Sequence, residues 1–167
     1  MKKIYYPISP LQQPKENDCW ITTLTVFKRW LYLNNYLEID SVIKELGNPY
    51  DVYYNSNKGL PHSEFIDFFN KAGLRYKQPQ NFTIEGWYNN LEQLGPLIVD
   101  VIGFITAKEI WTHSLLVVGI EYNDEETNIF YIDPALGIEL KVPFIDFLSK
   151  YEAEPENQID TIQVAHR

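Results

Sequence analysis

A chain of 167 residues, 45% hydrophobic and 22% charged, has a globular composition and enough length to bury a core as one domain over residues 1–167. Its net charge of −9 argues against nucleic acid or an anionic membrane as partner, because both need a basic face. One cysteine allows no internal disulfide, and the N-terminus has no apolar run of signal-peptide length; the longest such run, Leu115 to Ile120, is too short to span a bilayer. The expected location is therefore cytoplasmic, or exported without a cleavable signal peptide.

Residues 1–16 carry Pro7, Pro10 and Pro14 and read as an extended arm. A helix follows, with Asn17 and Asp18 as candidate N-caps and Trp20, Leu24, Phe27, Trp30 and Leu31 as its apolar stripe, running to about Asn34 or Asn35. Cys19 falls in its first turn. There, free backbone N–H groups and the positive end of the helix dipole favour a thiolate over a thiol. A small buried core cysteine is the competing reading. A second helix is expected with Asp40 as cap, Val42, Ile43 and Leu46 inward and Gly47 as stop; Asn48 to Gly59 reads as a polar, tyrosine-rich surface loop.

Pro61 to Ala72 reads as a helix closed by Gly73, and Thr83 caps another whose inward face is Ile84, Trp87, Leu91 and Leu94. From Pro96 the period shortens. PLIVDVIG, HSLLVVGIEY, NIFYID and IELKVPF are β-rich runs, with NDEETN as a hairpin loop between the second and third. A short helix over Pro143 to Lys150 and a final strand in IDTIQVA complete the chain. The fold class is α+β: a helical N-terminal lobe packed on an antiparallel β C-terminal lobe, with a site where they meet.

Cysteine chemistry needs a base, a group to orient it, and donors for an oxyanion. Of three histidines, His166 sits beside the C-terminus and is expected to be mobile, and His62 reads as a surface residue at a helix start. His113 opens the most apolar strand, a good place to face a cleft. Asp133, ending NIFYID before Pro134, is the candidate orienter. A hairpin folding back around residue 125 or 126 puts residue 113 opposite 137–139, so a bulge or wide loop must bring Asp133 to His113. Glu121 and Glu139 are rival carboxylates, both expected mid-strand and facing solvent. The Cys19 N–H is one oxyanion donor, and a side-chain amide of Gln13 or Gln12 is the second; spacing alone does not choose. One cysteine and three scattered histidines lack the spacing of metal ligands, so no metal or other cofactor is expected.

Gln13-x5-Cys19, with Asp18 before the cysteine and an aromatic after it, resembles the nucleophile region of papain-like cysteine peptidases. His113-Ser-Leu-Leu-Val-Val-Gly-Ile and Tyr131-Ile-Asp-Pro resemble that clan's histidine and aspartate strands, and Gly95-Pro96-Leu97 precedes the former. The match is to compact bacterial members, the bacteriocin-processing peptidases and the AvrRpt2-like effector proteases, and runs from about Gln12 to Gly137. The resemblance implies a papain-like fold, Cys19 as nucleophile, His113 as base, Asp133 as orienter and Gln13 as oxyanion donor. It implies cleavage of a protein or peptide substrate through a thioester, in a bacterial effector or toxin domain. Trp20 departs from the glycine usual in the bacteriocin-processing enzymes. No pro-segment is visible, so a dedicated inhibitor or immunity protein is an expected partner. Two rivals keep the same residues or the same fold: acyl transfer or deamidation of the transglutaminase type, and a non-catalytic papain-like binding module.

Overall fold

The computed structural model describes residues 1–77, 81–105, 110–151 and 164–167, leaving aside the side chains of residues 62, 102–105, 110 and 111. In chain order the elements are β1 (Lys2–Tyr5), α1 (Cys19–Leu31), α2 (Ile39–Leu46), α3 (Tyr50–Asn55), a 3-10 turn (His62–Glu64) leading into α4 (Phe65–Lys71), β2 (Arg75–Lys77), α5 (Ile84–Leu94), β3 (Leu97–Ile105), β4 (Ile110–Tyr122), β5 (Thr127–Asp133), β6 (Ile138–Pro143), α6 (Phe144–Tyr151) and β7 (Val164–His166). The helix-first, strands-later order expected for an α+β fold is present. Among the described residues, no helix is long and apolar enough to cross a membrane.

One seven-stranded antiparallel sheet organises the rest, in the order β2-β7-β3-β4-β5-β6. The long central strand β4 shares one edge between two partners: β3 pairs with its first part and β1 with Gly119 to Tyr122. The arm expected at the N-terminus thus begins as a strand. Gly119 makes its approach possible, because a Cβ there would lie 2.6 Å from the Ile4 carbonyl oxygen.

Each sheet face carries its own core. Leu116, Val118, Phe130 and Ile132 pack with residues of α1, α2 and α4 in one cluster, while Leu115, Val117, Ile120, Ile129 and Tyr131 pack with Trp87, Leu91, Phe144, Phe147 and Tyr151 in the other. Helix α5, which belongs to the helical half by sequence, therefore covers the face opposite α1.

Several local expectations are corrected. Helix α1 stops at Leu31 rather than near Asn34. Leu33 turns left-handed (φ 52°), with its N–H on the Trp30 carbonyl and the Asn34 N–H on that of Arg29, a Schellman closure without its usual glycine. Helix α2 is capped at Glu38, which has extended dihedrals, so Asp40 falls inside its first turn, where negative charge suits the dipole. Asn48 to Gly59 contains α3 rather than loop alone. His166 is held in β7 and buried, not mobile. Of the expected last strand, Val164 and Ala165 lie in β7, and the remainder lies outside the described residues. Thr83 caps α5 as expected, accepting the Gly86 N–H at 3.0 Å.

The β4–β5 hairpin decides where the site can form. Its turn closes tighter than expected, with the Asn123 N–H on the Glu126 carbonyl at 3.0 Å and the Asn123 side chain accepting from the Glu125 and Glu126 N–H groups. The ladder pairs Ile120 with Ile129 and Gly119 with Phe130, then resumes at Val117 with Tyr131 and Leu116 with Ile132. Val118 is the extra residue of a β-bulge. Carried one step past that last pair, the register sets Asp133 level with Leu115, and His113 is two residues further along on the same side.

Candidate active site

Helix α1 presents Cys19 at its first position. The start is fixed less by a side-chain cap than by packing: Trp20 stacks edge-on against Phe68 at 5.2 Å and near Tyr50 at 6.3 Å, and the Thr22 N–H bonds the Asp18 carbonyl at 3.0 Å. Asp18 occupies the N-cap but its carboxylate makes no capping bond, correcting the side-chain capping expected of it. It is buried, with neither oxygen partnered among the described residues. Burial pushes its pKa up, with Lys15 pulling back.

Strand β4 supplies His113 and the end of β5 supplies Asp133. Their contact is direct, with His113 Nε2 2.7 Å from Asp133 Oδ1. Such a diagonal same-face pair is within reach across antiparallel strands. The other ring nitrogen, Nδ1, is left for the Cys19 side chain. Burial alone drags the His113 pKa down, but hydrogen bonds to Asp133 and Cys19, with the charges of both, outweigh it and push it up to about 9. For Asp133, burial pushes up, yet His113 and the Ala135 and Leu136 N–H groups hold the carboxyl below its ordinary value. The Ala135 N–H lies 2.9 Å from Oδ1 and the Gly137 N–H 2.8 Å from the Asp133 carbonyl, so the Asp-Pro corner is itself a pinned turn. The arrangement suits an imidazolium set between a carboxylate and a sulfur nucleophile.

The rival carboxylates lie elsewhere. Glu121 does not face solvent: it is buried between Lys3 (3.0 Å) and Lys141 (2.5 Å), and those lysines hold its pKa low. Glu139 accepts from the Tyr5 hydroxyl at 3.0 Å. The His166 Nδ1 meets the Arg167 carbonyl at 2.7 Å, apart from this group. The His62 side chain lies outside the described residues.

Gln13 is tied to the same corner, its N–H donating to the Pro134 carbonyl at 2.8 Å. Its side-chain Nε2 donates to the Lys15 and Glu16 carbonyls, at 2.9 and 2.6 Å, and its Oε1 is buried without a partner among the described residues. Gln12 is exposed and packs on Gly137, where a Cβ would come within 2.6 Å of the Gln12 Cβ. The segment between Gln13 and Cys19 is braced from α3 and the turn after it: Lys15 Nζ bonds the Tyr54 carbonyl at 2.7 Å and lies 4.0 Å from that ring's centre, and Asn17 Nδ2 bonds the Asn57 carbonyl at 3.0 Å. Sequence reasoning missed these braces. Read by sequence, Asn17 offers only a helix cap, and no periodic signal links it to a residue 40 positions away. Among the described residues, no group of His, Cys, Asp and Glu could hold a metal ion.

A family model described as papain-like cysteine protease AvrRpt2 matches residues 3–152, which takes in every residue of this site. No curated protein matches the chain.

Proposed function

Since the chain belongs to the family of the papain-like cysteine protease AvrRpt2, a cysteine peptidase family, we propose that it cleaves a peptide bond in a protein substrate through a thioester on Cys19. The observation that carries this is the His113–Asp133 contact of 2.7 Å, with Cys19 near enough to the same imidazole to raise its pKa. The Cys19 thiolate attacks the substrate carbonyl carbon, and the oxygen takes up the negative charge beside the Cys19 N–H and the Gln13 amide. As the tetrahedral intermediate collapses, His113 passes its Nδ1 proton to the departing amine, leaving a thioester. Water then gives a proton to His113 while its oxygen attacks the thioester, releasing the acid and restoring the thiolate and imidazolium. Asp133 keeps the ring oriented throughout. Service as an oxyanion donor requires the Gln13 amide to turn from the Lys15 and Glu16 carbonyls as substrate arrives.

The reading takes residues 1–167 as one catalytic unit acting as an effector on other proteins, with an inhibitor or immunity protein as its restraint. Mass spectrometry of a cell lysate treated with the wild type and with Cys19→Ala tests it. New N-termini that need Cys19 support proteolysis. Intact chains with a rise of about one dalton at glutamine would instead mean deamidation through the same thioester.

A further inference from the structure

Next to the proposed dyad lies a buried polar chain that the mechanism does not use. Thr23 Oγ1 donates to the Ser114 carbonyl at 3.0 Å, and Ser114 Oγ donates to Asp100 Oδ1. All three residues are buried, and they come from α1, β4 and β3. We infer that Thr23, Ser114 and Asp100 are positioning residues that set the spacing between Cys19 and His113.

The inference rests on Cys19 and His113 being a reacting pair, and placement carries it. Thr23 is four residues after Cys19, on the same side of α1 and about 6 Å along it. Ser114 is the residue after His113. One hydrogen bond thus joins the turn beneath the sulfur to the backbone beside the imidazole. The β4–β5 ladder cannot do this work, because its last pair is Leu116 with Ile132, two residues short of Ser114. On its other side Ser114 pairs with Asp100, and the side-chain bond doubles that link.

Stability does not explain the chain. A buried carboxyl costs free energy that an apolar residue in this core would not, and burial pushes Asp100 up to about 7, with the Ser114 bond and the His113 charge only partly opposing it. What a polar chain adds is direction. The apolar contacts between α1 and the sheet tolerate sliding, since hydrophobic attraction has no preferred geometry. A hydrogen bond in a buried, low-dielectric setting holds one distance and one angle. A misplacement of about 1 Å in a reacting pair can cost on the order of a hundredfold in rate.

The test is alkylation of Cys19 by iodoacetamide, followed against pH in the full chain. Thr23→Val exchanges the hydroxyl for a methyl of the same shape. It should slow alkylation at pH 7 about tenfold and move the acid limb of the profile to higher pH, while Thr23→Ser, which keeps the hydroxyl, should follow wild type. Ser114→Ala unties Asp100 but spares the carbonyl, so it should move the profile the same way by less; it decides the matter alone if Thr23→Val fails to fold. Wild-type profiles for Thr23→Val and Ser114→Ala, beside a depressed profile for His113→Ala, would overturn the inference and leave the dyad standing. A wild-type profile for His113→Ala would remove the dyad itself.

Discussion

Replacing Asp133 by Ala tests the arrangement most directly, because it changes a quantity that belongs to His113. The His113 pKa stands at about 9 against an ordinary 6.5, a rise of about 2.5 units, and the bond to Asp133 is the largest contribution raising it. At about 1.36 kcal/mol per unit, the whole rise corresponds to roughly 3.4 kcal/mol in favour of the imidazolium. Cys19 supplies part of it, and burial works against both. Losing Asp133 should therefore lower the His113 titration by about 1–2 units and the charged fraction of His113 at pH 8 by about two- to tenfold. Side-chain NMR of labelled histidine between pH 5 and 10 reads the first, with His166→Gln removing the neighbouring signal. The rate of Cys19 alkylation reads the second. Glu139→Ala serves as control, since that carboxylate pairs with Tyr5. An unchanged His113 midpoint in Asp133→Ala, or an equal fall in Glu139→Ala, would refute the reasoning.

Gln13→Ala should lower kcat by roughly 10- to 1,000-fold while leaving Cys19 alkylation near wild type, and Gln12→Ala should change neither; sensitivity at Gln12 instead would displace the oxyanion assignment. Stability should fall as pH rises through two windows. Asp100 is raised from 3.8 to about 7, so its contribution is fully present below 3.8 and is lost by about pH 7, at most on the order of 4 kcal/mol; His113 contributes fully below 6.5 and loses that through about 9. Asp100→Asn should flatten the first decline in urea melts and leave the second, and a curve of wild-type shape would contradict the burial argument. Gly119→Ala should cost about 1–3 kcal/mol, seen as a lower melting temperature, because the new methyl group meets the Ile4 carbonyl and pushes β1 off the edge of β4.

Much of the fold was legible because helix caps and periodicity are local. Thr83 and the apolar stripe of α5 announced that helix, and the β-rich run NIFYID, bounded by turn residues, announced β5. Cys19 was legible for the same reason: the change from polar segment to helical stripe falls at that residue. The closeness of His113 and Asp133 was not legible. It depends on a tight turn at Asn123 and a bulge at Val118, and LLVVG offers no alternation to betray an extra residue. Glu121 was misread because burial of a charge is decided by lysines from β1 and β6, which no local pattern brings to it. Asn17 was read only as a helix cap through the same blindness to distant partners, and the braces that it and Lys15 make to Asn57 and Tyr54 went unseen.

The bulge at Val118 also has a consequence for preparing the protein. A straight β4 would set Val118 against Tyr131 and Leu116 against Asp133, turning His113 to the face away from that aspartate. Leu115, Leu116, Val117 and Val118 are all apolar, so the slipped pairing would bury nearly as much hydrocarbon as the native one. Chains caught in that pairing would be soluble, of normal helix and strand content, and incapable of forming the His113–Asp133 contact. A preparation should accordingly be judged by titrating the fraction of molecules whose Cys19 reacts with iodoacetamide at neutral pH; clarity of the solution or a circular dichroism spectrum would pass both populations alike.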